Sequence, residues 1–200
     1  MVLPRLPDGH KWGVRSLEDP YPDWITFVVG YFGMLVPGSR ACLVGIGHGC
    51  VPDALAKGSA FQQLSTVWCF EPNAHRAENA RGIEFWIDNL HICLKDEPSP
   101  DARYLSQVDF LIINCDGAYA DATWAMWMAS APSMSLAIQF PPNIEGTRIP
   151  WLQGLASDNG ASVFRLSLPN VPPALGAVKG SVVPAMLQLV ERIAYDVGDQ

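Results

Sequence analysis

Arg40-Ala-Cys-Leu-Val-Gly-Ile-Gly-His-Gly-Cys50 is a short apolar run that ends in glycines at 45, 47 and 49, with a helical pattern directly behind it. An apolar run of this length bounded by glycine reads as a buried strand. Glycines at alternate positions let the backbone turn sharply and approach a ligand, because no Cβ intervenes. Pro52 suits the first turn of a helix and Gly58 its stop. Strand, glycine turn and helix N-terminus together form a cradle for a nucleoside-containing cofactor. Its spacing is Gly-x-Gly-x-Gly, and Cys50 stands where a dinucleotide fingerprint needs its third glycine.

Working outward, Trp24 to Val36 reads as a core helix that Asp23 could cap, ending at Pro37-Gly38. The first strand is Ala41 to Val44, with its helix from about Val51 to Lys57. A second strand, Ser65 to Phe70, ends at Glu71-Pro72-Asn73. Ala77, Ala80, Ile83 and Ile87, with Trp86 beside them, fall at helical spacing, although Gly82 interrupts. Leu90 to Leu94 is the third strand, followed by a proline-containing loop through Pro100. Val108 to Ile113 is the fourth, ending at Asn114-Cys115-Asp116-Gly117, and a helix from about Ala120 to Ala129 carries Trp124, Ala125 and Met128 on one side. Met134 to Phe140 is the fifth strand. A short helix at Trp151 to Leu155, strands at Ser162 to Leu168 and Ala177 to Lys179, and a helix from Pro184 to Tyr195 complete the pattern.

Alternation of apolar strands with helices predicts an α/β fold: a doubly wound, mainly parallel sheet with helices on both faces. With no internal repeat and no dividing linker, the expectation is one domain over 1–200. Residues 1–39 form an N-terminal helical segment, 40–180 the core and 181–200 a C-terminal helix.

An apolar fraction of 49% against 16% charged residues fits a large core and excludes a disordered chain. The net charge of −7, with 13 Lys and Arg nowhere in a run, disfavours nucleic acid as partner. The first residues hold Pro4, Asp8, His10 and Lys11 rather than the apolar stretch of a secretory signal. Trp24 to Val36 is too short to span a bilayer. Five cysteines without a Cys-x-x-Cys pair suggest neither a disulfide framework nor a zinc site. Cys42, Cys69 and Cys93 fall inside separate strands, as small buried hydrophobes. A reduced, cytoplasmic setting is the simplest reading.

In open parallel sheets ligands lie beyond the carboxyl ends of the strands, where the strand order reverses. Four polar positions fall there: the Gly45/Gly47/Gly49 turn, Glu71, Asp96 and Asp116. The glycine turn admits the cofactor's backbone, and the following helix N-terminus favours negative charge. Glu71 is placed to accept from two ribose hydroxyls, and Asp96, with Glu97 as its substitute, from an adenine amino group. Asp116 lies nearest the substrate, where it could orient or deprotonate an acceptor. His48, Tyr119 and Asp121 are further candidates around the same turns, and Trp124 and Trp127 could wall a pocket. The bland alternatives are a tight turn, a helix-capping Glu71 or Asp116, and a solvated Asp96-Glu97 turn.

"LVGIGHG", "WCFEPNAHRAENAR", "LKDE" and "VDFLIINCDGAY", over roughly Trp12 to Leu168, resemble the class I S-adenosylmethionine-dependent methyltransferases. The last two are similar to the small O-methyltransferase type. The resemblance implies a seven-stranded sheet in the order 3-2-1-4-5-7-6, with strand seven antiparallel. It implies adenosylmethionine at Gly45, Gly47, Gly49, Glu71 and Asp96. The reaction expected beside it is methyl transfer to a small-molecule oxygen or nitrogen, with Asp116, His48 or Tyr119 as the catalytic candidates. No metal is implied, since the metal-binding aspartate turn of one O-methyltransferase group is represented only by Asn114 to Gly117. Leu43 stands where the family carries an acid two places before its first glycine.

Cys115-Asp116-Gly117-Ala118 also looks like RNA ribose methyltransferases, whose Lys-Asp-Lys-Glu set has no lysine here after strand five until Lys179, with Glu191 very late. "GHGCVPDAL" is similar to the turn of spermidine synthase relatives, which transfer aminopropyl groups. A non-catalytic methyltransferase-like interaction module and a homo-oligomer are the remaining alternatives.

Overall fold

Strand β1 (Arg40–Val44) sits mid-sheet because its four inner residues, Ala41 to Val44, are buried on both faces. The computed structural model describes residues 22–47, 49–58, 63–140, 148–166 and 174–180. Around β1 lie β2 (Thr66–Phe70), β3 (Glu84–Ile87), β4 (Leu90–Leu94), β5 (Phe110–Ile113), β6 (Ser135–Gln139), β7 (Ala161–Leu166) and β8 (Ala174–Lys179). Their order in one sheet is β3-β4-β2-β1-β5-β6-β8-β7. Strands β4, β2, β1, β5 and β6 run parallel, and β8 is antiparallel to both neighbours. Set aside β3, and the order is the expected one with its seventh strand reversed. The sheet therefore has eight strands rather than seven.

Alternate residues of the parallel strands serve two cores. Ala41, Leu43, Val67, Cys69, Phe110, Ile112, Leu136 and Ile138 pack with helices α1 (Pro22–Leu35) and α2 (Cys50–Lys57) on one face. Cys42, Val44, Phe70, Leu111, Ile113 and Ala137 pack on the other with α4 (Ala102–Leu105), α5 (Gly117–Ser130) and α6 (Arg148–Asp158). A parallel sheet must be covered in this way because both its faces are apolar. In α1, Trp24, Ile25, Val28, Val29, Tyr31 and Phe32 turn inward, and Phe32 stacks on Phe110 of β5 with ring centres 4.5 Å apart. Cys42, Cys69 and Cys93 are buried as free thiols; burial pushes the Cys42 and Cys69 thiols well up.

Three expectations change. The helix drawn through Ile83 and Ile87 stops early: α3 covers Ala74–Asn79 and closes at Ala80. Gly82, at φ +91°, turns the chain, and Glu84–Ile87 becomes β3, an edge strand antiparallel to β4. The apolar positions that matter are Ile83, Phe85 and Ile87, a period of two packed on the α1-side core. Asp88, at φ +50°, makes the two-residue turn back into β4, a conformation that Asp tolerates. Second, α6 is longer than Trp151 to Leu155. Third, α4 forms beyond the loop that ends at Pro100, where no element was expected, capped by Asp101, whose carboxylate accepts from Arg103 N–H at 2.8 Å. The helix at Pro184 to Tyr195 lies outside the described residues, as do the opening segment before Pro22 and the Pro141-Pro142-Asn143 turn. No helix among the described residues is long and apolar enough to cross a membrane.

Candidate functional site

The chain leaves β1 toward β2 and β4 and later returns to β5 on β1's other side, so the strand order reverses between β1 and β5. Both strands end there in hydrogen-bonded turns. Gly45 N–H donates to Phe70 O at 2.8 Å, and Asn114 N–H donates to Val44 O at 2.7 Å. Asn114 Nδ2 donates to Gly45 O at 3.0 Å, tying the two turns side to side. A Cβ on Gly45 (φ +83°) would lie 2.3 Å from Asn114 O, which excludes every other residue. Gly47 (φ +60°) differs: nothing lies within 4 Å of where its Cβ would stand. Its outer side is open space at the switch point, the place a ligand backbone would occupy. Gly49 begins α2, its N–H closing a turn to Ile46 O at 3.0 Å.

Glu71 is only 5% exposed, and both its oxygens are engaged. Oε2 accepts from Gly47 N–H at 2.7 Å and Oε1 from Asn73 N–H at 2.9 Å. Helix α3 has its own cap, since Asn73 Oδ1 accepts from Arg76 N–H at 3.1 Å. The carboxylate thus anchors the glycine turn to the end of β2. A carboxylate has about four acceptor positions, so two remain for hydroxyl donors.

Asp116 opens α5 from an extended conformation, is exposed, and makes no capping hydrogen bond. One turn on, Tyr119 is 45% exposed, while its carbonyl accepts from Thr123 Oγ1 at 2.7 Å. Asp96 is exposed at the end of β4, and its neighbour Glu97 reaches Arg103 Nη2 at 3.4 Å. Beside them Lys95 Nζ lies 5.8 Å from the centre of the Tyr104 ring, which packs edge-on against Trp68 and Phe70. Desolvation pulls the Lys95 pKa down, but its hydrogen bond to Cys93 and the charges of Cys93, Tyr104 and Glu97 outweigh this and raise it. His48 lies outside the described residues.

Along this rim the order is Asp96 at β4, Glu71 at β2, the glycine turn at β1 and Asp116 at β5. Three strand spacings separate the ends of the row, roughly 14 Å. Hydrogen bonds join the glycine turn directly to Glu71 and to Asn114, two residues before Asp116.

Sequence reasoning missed Gln139. It is the polar last residue of a strand whose three middle residues are apolar, and it is 1% exposed. Its Nε2 donates to Cys115 O at 2.9 Å, and Trp124 Nε1 donates to its Oε1 at 2.8 Å. A lone amide at the carboxyl end of a buried strand was the available signal.

One further expectation fails on geometry. Trp124 and Trp127 wall no pocket: both are fully buried in the α5-side core, edge to face at 5.8 Å. Lys179, the only lysine after strand five, pairs in register with Ser135 at the start of β6, and its Nζ donates to Met128 O at 2.8 Å. It is therefore on the opposite rim from Asp116 and completes no ribose-methylating set with it. Leu43 is buried in the α1-side core, so no side chain from that position reaches the rim. Among the described residues no group of three or more His, Cys, Asp or Glu could hold a metal ion.

Neither a family model nor a curated protein matches the sequence. Solved structures do match. A precorrin-6y C5,15-methyltransferase from Geobacter metallireducens aligns at 12% identity and a TM-score of 0.52, covering 78% of this chain and 88% of that one. A methyltransferase from Pyrococcus furiosus aligns at 14% and 0.52, covering 80% and 83%. The ribosomal protein L11 methylase of Lactobacillus delbrueckii aligns at 13% and 0.51, covering 79% and 80%. At such identities the likeness is one of fold: the chain has the Rossmann-like fold of these methyltransferases. Since their names point to different acceptors, the fold does not select one.

Proposed function

We propose that the chain is an adenosylmethionine-dependent methyltransferase, one domain over residues 1–200, acting on an oxygen or nitrogen of a small molecule. The observation that carries the reading is the joining of Glu71 to Gly47 N–H beneath open space at the switch point. There the backbone can approach a nucleoside while the carboxylate accepts from its ribose hydroxyls. Asp96 would serve the base, and the Asn114 to Asp116 turn would serve the opposite end of the ligand. Bound adenosylmethionine supplies a methyl group activated by its sulfonium.

The chain's own work is to orient and to accept a proton. Asp116, exposed and without a capping bond, is free to hydrogen-bond the acceptor or take its proton. Tyr119 stands one turn away with an accessible ring, and His48 is the third candidate by its place in the glycine turn. Much of the rate in such a transfer comes from holding the two reactants in line. The negative net charge and the distance of Lys179 from Asp116 weigh against RNA as acceptor. Free cysteines among the described residues accord with a cytoplasmic setting.

The test is incubation with methyl-labelled adenosylmethionine and either a small-molecule extract or RNA. Label in the small-molecule fraction, with release of adenosylhomocysteine, is expected. Asp116→Asn should slow transfer by about 10²-fold. Label in RNA, or methylthioadenosine as the product, would overturn the proposal; no turnover with intact cofactor binding would favour a non-catalytic module.

A further inference from the structure

Buried amides are uncommon because burial leaves four hydrogen-bonding capacities to satisfy, and each one unmet is unfavourable. Gln139 is 1% exposed at the last position of β6, beside Ile113 of β5. Its two ends face different elements. Trp124 Nε1, from the second turn of α5, donates to Oε1 at 2.8 Å, and Nε2 donates to Cys115 O at 2.9 Å. Cys115 lies between Asn114, which holds Gly45 O, and Asp116, which opens α5. The amide therefore bridges three pieces of chain where β1, β5 and β6 end. An apolar side chain of the same volume would fill the space but could not donate to Cys115 O.

We infer that Gln139 is a positioning residue: by holding Cys115 O from β6 it fixes the Asn114–Asp116 turn against which the non-nucleoside end of the ligand is seated. The inference rests on the proposed adenosyl site, and it assigns to β6 a part in recognition that none of its side chains plays by touching the ligand. Two consequences distinguish it from a packing role. Gln139 matters for a ligand that extends past the ribose to β5, and not for one that ends at Glu71. The donor Nε2, rather than the acceptor Oε1, is the half that counts.

Adenosylhomocysteine and adenosine are suitable probes, because they share the nucleoside and only the first carries the amino-acid arm. Calorimetry on the full chain should give Gln139→Leu a loss of about tenfold or more in adenosylhomocysteine affinity, with adenosine affinity unchanged within about threefold. Trp124→Phe removes the indole donor but keeps Nε2 on Cys115 O. It should lower the melting temperature while leaving both affinities within about threefold.

Gln139→Glu keeps the volume and the Trp124 bond. A buried carboxyl titrates above its ordinary range, and only its protonated form can donate to Cys115 O. The ratio of adenosylhomocysteine to adenosine affinity in this variant should match wild type near pH 5 and fall as the pH rises to about 8, while wild type stays flat. Equal losses for the two probes in Gln139→Leu, or a flat ratio in Gln139→Glu, would overturn the positioning role. Binding of neither probe by the wild-type protein would instead refute the adenosyl site on which the inference stands.

Discussion

At the amino rim of the sheet, Arg40 N–H donates to Asp109 Oδ2 at 2.9 Å, Ser65 Oγ to Gly38 O at 2.8 Å and Lys179 Nζ to Met128 O at 2.8 Å. At the carboxyl rim, Glu71, Asn114 and Gln139 make bonds of the same kinds and lengths. The difference is what the bonds hold. Amino-rim bonds close a strand start or a helix end whose course the strands already set. Carboxyl-rim bonds run from turn to turn across β2, β1, β5 and β6, and beside them stand an open Gly47 and an uncapped, exposed Asp116. Polar residues thus stand at both rims, but among the described residues the carboxyl rim keeps open acceptor positions on Glu71 and an uncapped Asp116, whereas the unpartnered group at the amino rim is the enclosed hydroxyl of Ser39.

Substitutions can break that comparison, and the largest effect is expected at Gly45. Gly45→Ala places a Cβ against Asn114 O at a positive φ, and should destabilise the fold by on the order of 2–4 kcal/mol in denaturant unfolding. Binding should be lost with it. Glu71→Ala strands two backbone N–H groups and should remove about 1–3 kcal/mol of stability along with nucleoside affinity. Gly47→Ala meets no neighbour, so its unfolding free energy should fall by only about 1 kcal/mol while its Cβ fills the ligand's space and abolishes binding. If Gly47→Ala bound as tightly as wild type, the two rims would not differ as described.

At the amino rim, Lys179→Met should change stability by less than about 1 kcal/mol and leave ligand affinity untouched. Desolvation lowers the Lys179 pKa, so its folded form favours the neutral amine. That contribution is complete above the ordinary lysine range and is lost as the pH falls through the lowered value. Melts of wild type and Lys179→Met should accordingly diverge in favour of wild type as the solution is made alkaline. The smallest effect is expected for Asp96→Asn: an exposed acceptor at the end of the row should weaken adenosylhomocysteine by about threefold, read by calorimetry.

The parallel strands were legible because burial on both faces leaves continuous apolar runs, as in Phe110–Ile113. Their carboxyl ends were legible because polar and glycine residues stop those runs abruptly at Gly45, Glu71 and Asp116. Strand β3 was not: Ile83 and Ile87 satisfy a helical period and a strand period alike, and only the pairing of Phe85 with Ile92 and Trp86 with His91 decides between them. The exposed Trp86, stacked on His91 at 3.6 Å, is a product of that pairing and carries no helical signal. Helix α4 is four residues long, too short for periodicity to register. Gln139 escaped because its meaning depends on Cys115 O, twenty-four residues away.

Isothermal titration of the full chain with adenosylhomocysteine, wild type against Glu71→Ala, tests the central claim most directly, namely that the carboxyl rim holds an adenosyl ligand through the glycine turn and Glu71. Saturable binding to wild type with a loss of at least about tenfold in the variant is the predicted result. Equal affinity in the two proteins, or binding of NAD in its place, would contradict it.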